Sequence, residues 1–324
     1  MKALITGATG FIGSHLAERL SKTGFETSCI VRKTSDLKWL EGFDLKFLEG
    51  DCTDKDFLGR SVKGFDYIFH LAGLTKAICR EDFYSINTKC TENIIEAVRE
   101  HNPKIKRFVY LSSLSAFGPK VNSIMPTEAG IPNPVSDYGK SKLEGEKAVL
   151  KYSNSMPVTI LRPAAVYGPR DKDFFVLFKL IKNGFLPYQG NGKISLIYID
   201  DLIDAIILSA EKEDNTGKIY FISDGMLYSN NEVINEIASV LNVKVFKLKM
   251  PKPILKLIGF FSEKISKITG STTIITSDKI KELSYSEWVC DISRAKSGLC
   301  FNPKIRIKEG MKWTADWYQI HKWL

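Results

Sequence analysis

Short apolar runs alternate with amphipathic stretches along the first half of the chain. The apolar runs, rich in Val, Ile, Leu and Phe, predict buried strands, and apolar residues three and four positions apart predict helices between them. The predicted strands are Lys2–Thr6, Thr27–Val31, Leu45–Leu48, Tyr67–Leu71, Arg107–Leu111 and Val158–Leu161. The predicted helices are Phe11–Thr23, Asp82–Glu100 and Ser136–Ser153. This alternation indicates an α/β fold, a doubly wound parallel sheet with helices on both faces.

After Pro163 the hydrophobic pattern becomes less regular. Helices are predicted at Phe174–Lys182, Asp201–Glu211, Asn231–Leu241 and Ile307–His321, and strands at Ser195–Ile199 and Ile219–Ile222. The segment Pro251–Ile268 mixes apolar residues with lysines. It predicts a helix that packs on its own domain with lysines at the rim. A flap over an apolar substrate pocket and a surface helix in peripheral contact with an anionic membrane are the alternatives.

The composition of the 324 residues narrows the class of protein. Hydrophobic residues make up 44% and charged residues 26%, a globular balance that excludes a disordered chain, a collagen-like fibre and a coiled coil. No apolar run approaches the roughly 18 residues of a membrane-spanning helix. The first strand starts at residue 2, which leaves no room for a signal peptide. We therefore expect a cytoplasmic protein with no integral membrane segment.

The formal net charge of +9 leaves several classes of partner open. Nucleic acid, a membrane surface and an anionic small molecule all attract a basic chain. The positive charge is spread along the sequence, with some concentration between Lys244 and Lys281, and no nucleic-acid-binding motif is present. A solvated, lysine-rich surface is the favoured interpretation, with no nucleic-acid partner.

The cysteines suggest neither a disulfide framework nor a metal site. None of the six forms a Cys-x-x-Cys pair, and a chain of this length builds a core without covalent staples. We therefore expect free thiols and no bound metal. The cysteines are Cys29, Cys52, Cys79, Cys90, Cys290 and Cys300.

A glycine-rich turn, Thr6-Gly7-Ala8-Thr9-Gly10-Phe11-Ile12-Gly13, joins the first strand to the first helix. Gly7 permits the tight turn, Gly10 lets the backbone approach a pyrophosphate, and Gly13 lets the helix pack on the strand. The helix N-terminus offers free N–H groups to the phosphates. Residues 1–165 are thus predicted to form a Rossmann-type NAD(P)-binding domain, with 194–222 returning to it. Residues 166–193 and 223–324 are predicted to form a smaller, mixed substrate-binding region.

The end of the second strand bears on the type of coenzyme. NAD sites usually place an acidic residue there for the ribose hydroxyls, whereas this chain has Arg32 followed by Lys33. Arg32 would attract the 2′-phosphate of NADP, so the sequence favours NADP slightly over NAD. Two solvated cations in a loop remain the alternative. Asp51, after the third strand, is a candidate acceptor for the adenine amine, although Asp is also common in turns.

Tyr138 and Lys142 stand at positions i and i+4 of a predicted helix and therefore share one face. A phenol normally titrates near 10. A nearby ammonium favours the phenolate, which lets the tyrosine exchange a proton with a substrate oxygen near neutral pH. The serines Ser112, Ser113 and Ser115 follow the fifth strand, at the strand ends where ligands bind in open parallel sheets.

Taken together, these motifs resemble the extended short-chain dehydrogenase/reductases of the NAD-dependent epimerase/dehydratase family. The resemblance covers nearly the whole chain and includes the 3β-hydroxysteroid dehydrogenase and dihydroflavonol reductase-like branches. It is carried by the glycine turn and by His70-Leu71-Ala72-Gly73, Asn87-Thr88, Leu111-Ser112-Ser113, Tyr138 with Lys142, Leu161-Arg162-Pro163-Ala164-Ala165-Val166-Tyr167-Gly168-Pro169 and Tyr198-Ile199-Asp200-Asp201-Leu202.

The resemblance implies roles for individual residues. Ser113 would be the catalytic serine, Tyr138 the acid/base, and Lys142 would bind the nicotinamide ribose and lower the pKa of Tyr138. The other implied coenzyme contacts are Gly7, Gly10, Phe11, Ile12 and Gly13 at the pyrophosphate, Asp51 and Cys52 at adenine, Leu71, Ala72, Gly73 and Asn87 towards the nicotinamide ribose, and Pro163 and Val166 at the carboxamide. Candidate substrate contacts are Thr75, Ser115, Ala165 and Arg170.

Two departures from the family pattern bear on the substrate. Ala165 stands where many sugar-nucleotide enzymes have asparagine, and an arginine that grips the nucleotide diphosphate is missing before Tyr198. Lys193 or Arg170 are candidate substitutes. The resemblance implies hydride transfer at a secondary alcohol or ketone of a small molecule. Nucleotide-sugar epimerisation or dehydration through a transient ketone is the alternative, and a non-catalytic coenzyme sensor ranks below both. Family members often pair through helices like Asp82–Glu100 and Ser136–Ser153, so a homodimer is expected.

Overall fold

A computed structural model of the chain describes residues 1–188, 190, 192–249 and 276–324. The strands in these ranges are β1 (Lys2–Thr6), β2 (Glu26–Val31), β3 (Leu45–Glu49), β4 (Tyr67–His70), β5 (Arg107–Leu111), β6 (Val158–Pro163), β7 (Ala165–Tyr167), β8 (Phe185–Tyr188), β9 (Lys193–Ile194), β10 (Leu196–Tyr198), β11 (Lys218–Ile222), β12 (Tyr228–Ser229), β13 (Phe246–Lys249) and β14 (Glu287–Trp288). The predicted segment Pro251–Ile268 lies outside the described residues, and with it the three interpretations of that segment.

The α-helices of the same ranges are α1 (Phe11–Lys22), α2 (Lys55–Ser61), α3 (Arg80–Phe83), α4 (Cys90–His101), α5 (Leu114–Phe117), α6 (Asp137–Leu150), α7 (Lys172–Lys182), α8 (Ile199–Glu211), α9 (Asn230–Leu241), α10 (Ser277–Leu283), α11 (Ser293–Leu299) and α12 (Ile307–Ile320). A π-helical segment, Tyr84–Lys89, joins α3 to α4, and a 3-10 turn, Glu213–Asn215, follows α8. None of the helices in the described part of the chain has the length and apolarity needed to cross a bilayer.

The central sheet has seven parallel strands in the order β11-β6-β5-β4-β1-β2-β3. The predicted Rossmann-type doubly wound sheet is therefore confirmed. Strand order reverses at β1, which lies between β2 and β4, and ligands of such sheets bind at the carboxyl ends of the strands beside this point. The returning strand β11 pairs with β6 at one edge of the sheet. The division into a coenzyme domain and a substrate region stays a prediction.

Alternate residues of the central strands enter two separate cores. Leu4, Ile68 and Phe108 point into the core beneath α2, α4 and α6. Ile5 and Phe69 point into the larger core on the other face, which α1, α8 and the C-terminal helices cover. This period-two pattern, buried on both sides, is the reason why the strands appear in the sequence as near-continuous apolar runs.

The C-terminal region is tied to the central domain by a buried carboxylate. Asp201, in the first turn of α8, accepts hydrogen bonds from the backbone N–H groups of Lys304, at 3.0 Å, and Ile305, at 2.9 Å. From there α12 runs back over the molecule, and the Tyr318 hydroxyl donates to the carbonyl of Asp171 at 2.7 Å. The last residues of the chain thus complete the larger core.

Several predicted elements differ in detail from the structure. The helix predicted over Asp82–Glu100 is a helical run from α3 to α4 that contains the π-helical segment, because apolar periodicity does not reveal a local i+5 turn. The short helices α2 and α5 have no long apolar repeat and were not predicted. The N-cap of α6 is Ser136, whose Oγ accepts from Gly139 N–H at 3.0 Å.

A buried ion pair joins α6 to the sheet. Arg162 on β6 donates to both carboxylate oxygens of Glu146, at 2.9 and 2.6 Å, and the side chains are only 2% and 1% exposed. The Ser112 hydroxyl donates to the same carboxylate. The Arg162 guanidinium also lies 5.6 Å from the ring centres of Phe117 and Phe221. Every oxygen of Glu146 is thus paired in an environment that water does not reach.

We expect Glu146→Gln to lower the free energy of unfolding by about 3–5 kcal/mol, because it leaves the Arg162 charge buried without a counter-ion. The double variant Glu146→Gln/Arg162→Met, which also removes that charge, should recover much of the loss. Urea denaturation measures both. The matched control is Glu144→Gln on the same helix, which breaks an exposed pair with Lys147 and should cost less than about 1 kcal/mol. Equal losses for the two single variants would contradict the expectation.

Candidate active site

The glycine turn forms the first wall of the crevice at the carboxyl ends of β1 and β4. Gly7 has φ +76°, and a Cβ there would lie 2.7 Å from the backbone nitrogen of Ala72. A Cβ on Gly13 would overlap the carbonyl oxygen of Gly7. Gly10, at the start of α1, is exposed, and no side chain of the described residues caps the helix there. Free N–H groups at a helix end, reached over bare backbone, suit a pyrophosphate.

A buried chain of hydrogen bonds runs from this turn to α4. The hydroxyl of Thr6 accepts from Ala72 N–H at 3.2 Å and lies 2.7 Å from His70 Nδ1. His70 Nε2 lies 2.9 Å from the hydroxyl of Thr91, which donates to the Asn87 carbonyl at 2.8 Å. The pattern requires a neutral imidazole protonated on Nε2. Burial agrees, because it lowers the pKa of His70 to about 3.

Asn87 extends this chain to the helix that carries Tyr138. Its Oδ1 accepts from Leu74 N–H at 2.8 Å, and its Nδ2 donates to Ser141 Oγ at 2.9 Å. Ser141 in turn donates to the Tyr138 carbonyl at 2.8 Å. A Cβ on Gly73 would lie 3.0 Å from Asn87 Oδ1. The side chain predicted to lie near the coenzyme is therefore fully used in joining the loop after β4 to α6.

The structure brings the three predicted catalytic residues together at the end of β5. The Ser113 hydroxyl lies beside Tyr138 and favours its phenolate, and Ser113 Oγ accepts from Ser115 N–H at 3.1 Å as the cap of α5. Lys142 Nζ donates to the carbonyl of Leu111 at 2.6 Å and lies 4.4 Å from the ring centre of Tyr110. Ser112 is turned away from this group, because its hydroxyl is taken by Glu146.

The protonation of this site differs from the expected lowering of the Tyr138 pKa. Burial raises the pKa of Tyr138 to about 12, although its hydrogen bond to Ser113 acts in the opposite direction. Burial also lowers the pKa of Lys142 to about 7, against the pull of the Glu146 carboxylate. Desolvation outweighs the attraction of a phenolate for an ammonium here, because the Lys142 ammonium turns to Leu111 and not to the phenol.

The predicted adenine contacts lie at the far side of the crevice, beyond β2 and β3. Asp51 Oδ1 accepts from the backbone N–H and hydroxyl of Thr53 at 2.8 and 2.7 Å, which lowers its pKa. Arg32 is exposed at the end of β2, and its positive charge also favours the Asp51 carboxylate. Within the described ranges no acidic oxygen lies within 4 Å of the Arg32 guanidinium.

The expectation of six free thiols is wrong at one pair. Cys52 and Cys90 form a disulfide with a Cα–Cα distance of 5.2 Å, while Cys29, Cys79, Cys290 and Cys300 are free. The spacing of 38 residues gave no signal, because the fold alone brings the loop after β3 against the start of α4. The two sulfurs and an Asp51 oxygen lie within 4.8 Å of one another. A disulfide offers no thiolate to a metal.

The remaining candidate contacts are spread around the crevice. Thr75 is exposed on the loop after β4, and Pro163 is buried at the end of β6. Ala165 and Val166 lie in β7 and pair with Leu196 and Ile197 of β10. Phe11 and Ile12 pack at the start of α1.

Arg170 lies against α1. Its guanidinium donates to Glu18 at 2.6 Å and to Ser14 Oγ at 3.2 Å, and it lies 5.3 Å from the ring centre of Trp39. An arginine held in this way has its charge already compensated by a carboxylate. The sequence interpretation did not include Glu146, whose spacing of four residues from Lys142 was the available signal. It also gave no role to His70, although that residue was part of a quoted motif.

Comparison with known proteins settles the family. A model of the NAD dependent epimerase/dehydratase family matches residues 3–223. The chain belongs to that family. The predicted resemblance is thereby confirmed, and membership makes this an NAD-dependent enzyme of the epimerase/dehydratase type.

Individual relatives differ in what they act on. A ceramide reductase of Caulobacter vibrioides is 27% identical over 325 residues, covering 99% of this chain and 95% of its own. A Bacillus subtilis protein, named as an uncharacterized UDP-glucose epimerase YtcB, is 32% identical over 338 residues and covers 96% of both chains. The crystal structure of UDP-glucuronic acid 4-epimerase from Bacillus cereus with UDP-glucuronic acid and NAD has a TM-score of 0.78 at 24% identity, with 99% and 100% of the chains covered.

We expect Lys142→Met to stabilise the folded chain, by an amount that depends on pH. The folded chain holds Lys142 with a pKa of about 7, against 10.5 ordinarily, so burying the charge destabilises the folded state below pH 7. That penalty fades as pH rises towards 10.5, because the unfolded chain then loses its extra proton. The melting temperature of Lys142→Met, relative to the parent, should therefore be highest at pH 6 and fall by several degrees by pH 10. The exposed Lys140→Met is the control. If the melting-temperature difference between Lys142→Met and the parent does not change with pH, the low pKa of Lys142 in the folded chain is contradicted.

Proposed function

We propose that the protein transfers hydride between NAD(P) and a secondary alcohol or ketone, with Ser113, Tyr138 and Lys142 as its catalytic residues. The observation that carries the proposal is that Ser113 lies beside Tyr138, with Lys142 one helical turn away and bonded to Leu111 at the end of β5. The uncapped glycine turn lies at the same end of the sheet. A proton-transferring phenol beside a dinucleotide site is the arrangement that carbonyl reduction and alcohol oxidation both need.

The residues divide the chemistry among them. Bound NAD(P) supplies or takes up the hydride. The Ser113 hydroxyl orients the substrate oxygen by a hydrogen bond, and Tyr138 gives a proton to that oxygen or takes one from it. Lys142, when charged, favours the phenolate of Tyr138 and so assists removal of a proton from an alcohol.

The coenzyme contacts are proposed from the family resemblance and the local geometry. The glycine turn, with Phe11 and Ile12, would hold the pyrophosphate, and Asp51 and Cys52 would lie at adenine. Leu71, Ala72 and Gly73, backed by Asn87, would border the nicotinamide ribose, with Pro163 and Val166 beyond. Arg32 supports NADP over NAD, because its exposed guanidinium has no acidic partner among the described residues and suits a 2′-phosphate.

A substrate of low polarity fits the chain better than a sugar nucleotide. Many sugar-nucleotide enzymes of the family have asparagine before Val166, whereas this chain has Ala165 and so lacks the amide. Arg170, a candidate for holding the nucleotide diphosphate, is already paired with Glu18. The Caulobacter relative is named as a ceramide reductase, which supports reduction of an apolar substrate. Thr75 and Ser115 would then be the polar contacts near the reacting carbon.

Epimerisation of a nucleotide sugar is the second candidate. It is favoured by the Bacillus relative named as a UDP-glucose epimerase, and the same three residues serve it if the ketone stays bound and is reduced again from its other face. The coenzyme is then regenerated in each cycle. Net release of a reduced or oxidised coenzyme separates the two reactions. Pairing of two chains through α4 and α6, and a location in the cytoplasm, remain proposals.

Tyr138→Phe should lower turnover by at least about 100-fold, because the phenol is the group that moves the proton. Coenzyme binding should change less than about threefold, since the ring is kept and only a neutral hydroxyl is lost. Nicotinamide fluorescence, followed with long-chain and cyclic ketones and with UDP-glucose, measures both. Tyr152→Phe, just beyond the end of the same helix, is the control and should keep full turnover. Turnover that survives in Tyr138→Phe would refute the proposal.

Arg32→Asp should weaken NADP binding by about 10–100-fold, the value of one charge-assisted contact to a phosphate. NAD binding should stay within about threefold, because NAD has no 2′-phosphate. Isothermal titration of both coenzymes makes the comparison, and Arg60→Asp on α2 serves as an exposed-arginine control. If the parent protein binds NAD more tightly than NADP, Arg32 does not have the proposed role.

A further inference from the structure

The N-terminus of α6, which carries Tyr138, is covered by α10 from the C-terminal region. Asp278 on α10 accepts two backbone hydrogen bonds there, Oδ1 from Asp137 N–H at 2.8 Å and Oδ2 from Tyr138 N–H at 3.1 Å. The Asp278 side chain is only 15% exposed. These two N–H groups belong to the first turn of the helix, where no carbonyl of the helix is available to them.

Other residues of α10 complete the contact. The Ser136 hydroxyl donates to Glu282 Oε1 at 2.8 Å while its oxygen caps Gly139 N–H at 3.0 Å. Lys281 Nζ lies 3.3 Å from an Asp137 carboxylate oxygen and 3.2 Å from Asp278 Oδ1. The first three N–H groups of α6 are therefore all satisfied, two of them by a single carboxylate that is 140 positions away from Tyr138 in the chain.

Ser113 and Tyr138 lie on two elements that are fixed separately, and Ser113 acts on the phenol. Ser113 is held by its own backbone and by the cap bond to Ser115 N–H at 3.1 Å. Tyr138 lies in the first turn of α6, the part of a helix that frays most readily when its N–H groups lose their partners. A small shift of that turn is carried along the long tyrosine side chain to the hydroxyl.

We propose that Asp278 is a positioning residue, whose two hydrogen bonds to the first turn of α6 hold the Tyr138 phenol against Ser113. The inference rests on the proposed function and extends it. It makes docking of a C-terminal helix part of the assembly of the catalytic site. Asp278 acts through Tyr138, and its own carboxylate is occupied by backbone.

The test must separate geometry from charge, because the Tyr138 phenol lies among many charged groups. Glu282 on α10 and Asp173 on α7 act on the phenol directly. Around them, Lys279 of α10 is influenced by both carboxylates, Lys76 on the loop after β4 pairs with Asp173, and Asp278 binds the Tyr138 backbone. Asp137 and Lys142 lie on the same helix as Tyr138. Removing Asp278 therefore changes the electrostatic field as well as the position of the phenol. A double-mutant cycle with Ser113 removes this electrostatic contribution. The effect of Ser113→Ala is measured once with Asp278 present and once with it replaced, and each of the two measurements is made at constant charge.

The experiment uses the full chain labelled with 3-fluorotyrosine, whose phenol is more acidic than that of tyrosine. The 19F resonance of position 138 is assigned by its loss in Tyr138→Phe. In the parent, Ser113→Ala should raise the pKa of this phenol by about one unit, the value of a hydrogen bond that favours the phenolate. In the Asp278→Ala background the same change should move that pKa by less than about 0.3 unit, because the two hydroxyls no longer meet.

Two further variants keep the measurement decisive. Asp278→Asn has the shape of aspartate but only one acceptor oxygen, so it should also lose the Ser113 effect, and it replaces Asp278→Ala if that variant does not fold. The matched control is Asp201→Asn. Asp201 likewise accepts two backbone N–H groups from a distant part of the chain, but it binds Lys304 and Ile305 and not α6, so its variant should keep the full Ser113 effect.

Each outcome decides between distinct conclusions. A full Ser113 effect in both Asp278 variants overturns the positioning role and leaves the proposed function intact. Absence of any Ser113 effect in the parent overturns the Ser113–Tyr138 site itself, and with it the proposed function. Loss of the effect in Asp201→Asn as well as in the Asp278 variants would mean that any loosening of the C-terminal region disturbs the site, and that Asp278 has no special role.

Discussion

The buried ion pair between Glu146 and Arg162 fixes the helix on which the rest of the site depends. A carboxylate that receives two guanidinium bonds and a serine hydroxyl has both oxygens paired and tolerates burial. Because Tyr138, Lys142 and Glu146 follow at intervals of four residues, locking Glu146 onto β6 fixes the rotation of α6 about its axis. That rotation places Lys142 beneath the crevice and Tyr138 at its edge. The same carboxylate takes the hydroxyl of Ser112, so the neighbouring Ser113 is the serine that faces Tyr138.

Uncharged polar contacts join this helix to the glycine turn. The path from Thr6 through His70, Thr91 and Asn87 to Ser141 crosses β1, β4, the π-helical segment and α6 without a charged group. A neutral imidazole is suited to such a position, since it donates on one side and accepts on the other. Charging it would protonate Nδ1, which then could no longer accept the hydrogen bond that the Thr6 hydroxyl donates to it. The low pKa of His70 therefore keeps the link between the glycine turn and α6 intact across the physiological range.

The features that sequence predicted well are those whose cause is local. The strands, the glycine turn between β1 and α1, and the Tyr138–Lys142 spacing each follow from the residues within one element. The contacts that were missed join distant parts of the chain. Asp278 meets Tyr138 across 140 positions, and Cys52 meets Cys90 across 38. Neither has a periodic signal, because the fold and not the local pattern decides which residues meet. The raised pKa of Tyr138 has a related cause: charge was visible in the sequence, but the depth of burial was not.

The pKa values of Tyr138 and Lys142, set by burial and by neighbouring charges, bear on the direction of the proposed reaction. With a pKa of about 12, Tyr138 holds its proton at neutral pH, while Lys142, with a pKa of about 7, is close to half charged. The acidic side chains Glu282 and Asp173 add to burial in keeping the phenol neutral. A neutral phenol beside a serine hydroxyl is a proton donor, which suits reduction of a carbonyl. Oxidation of an alcohol needs the phenolate, and Lys142 is the cation on the same face of α6 that can stabilise it. In the proposed reaction, the protonated phenol of Tyr138 thus serves carbonyl reduction near neutral pH, and alcohol oxidation draws on the charged form of Lys142.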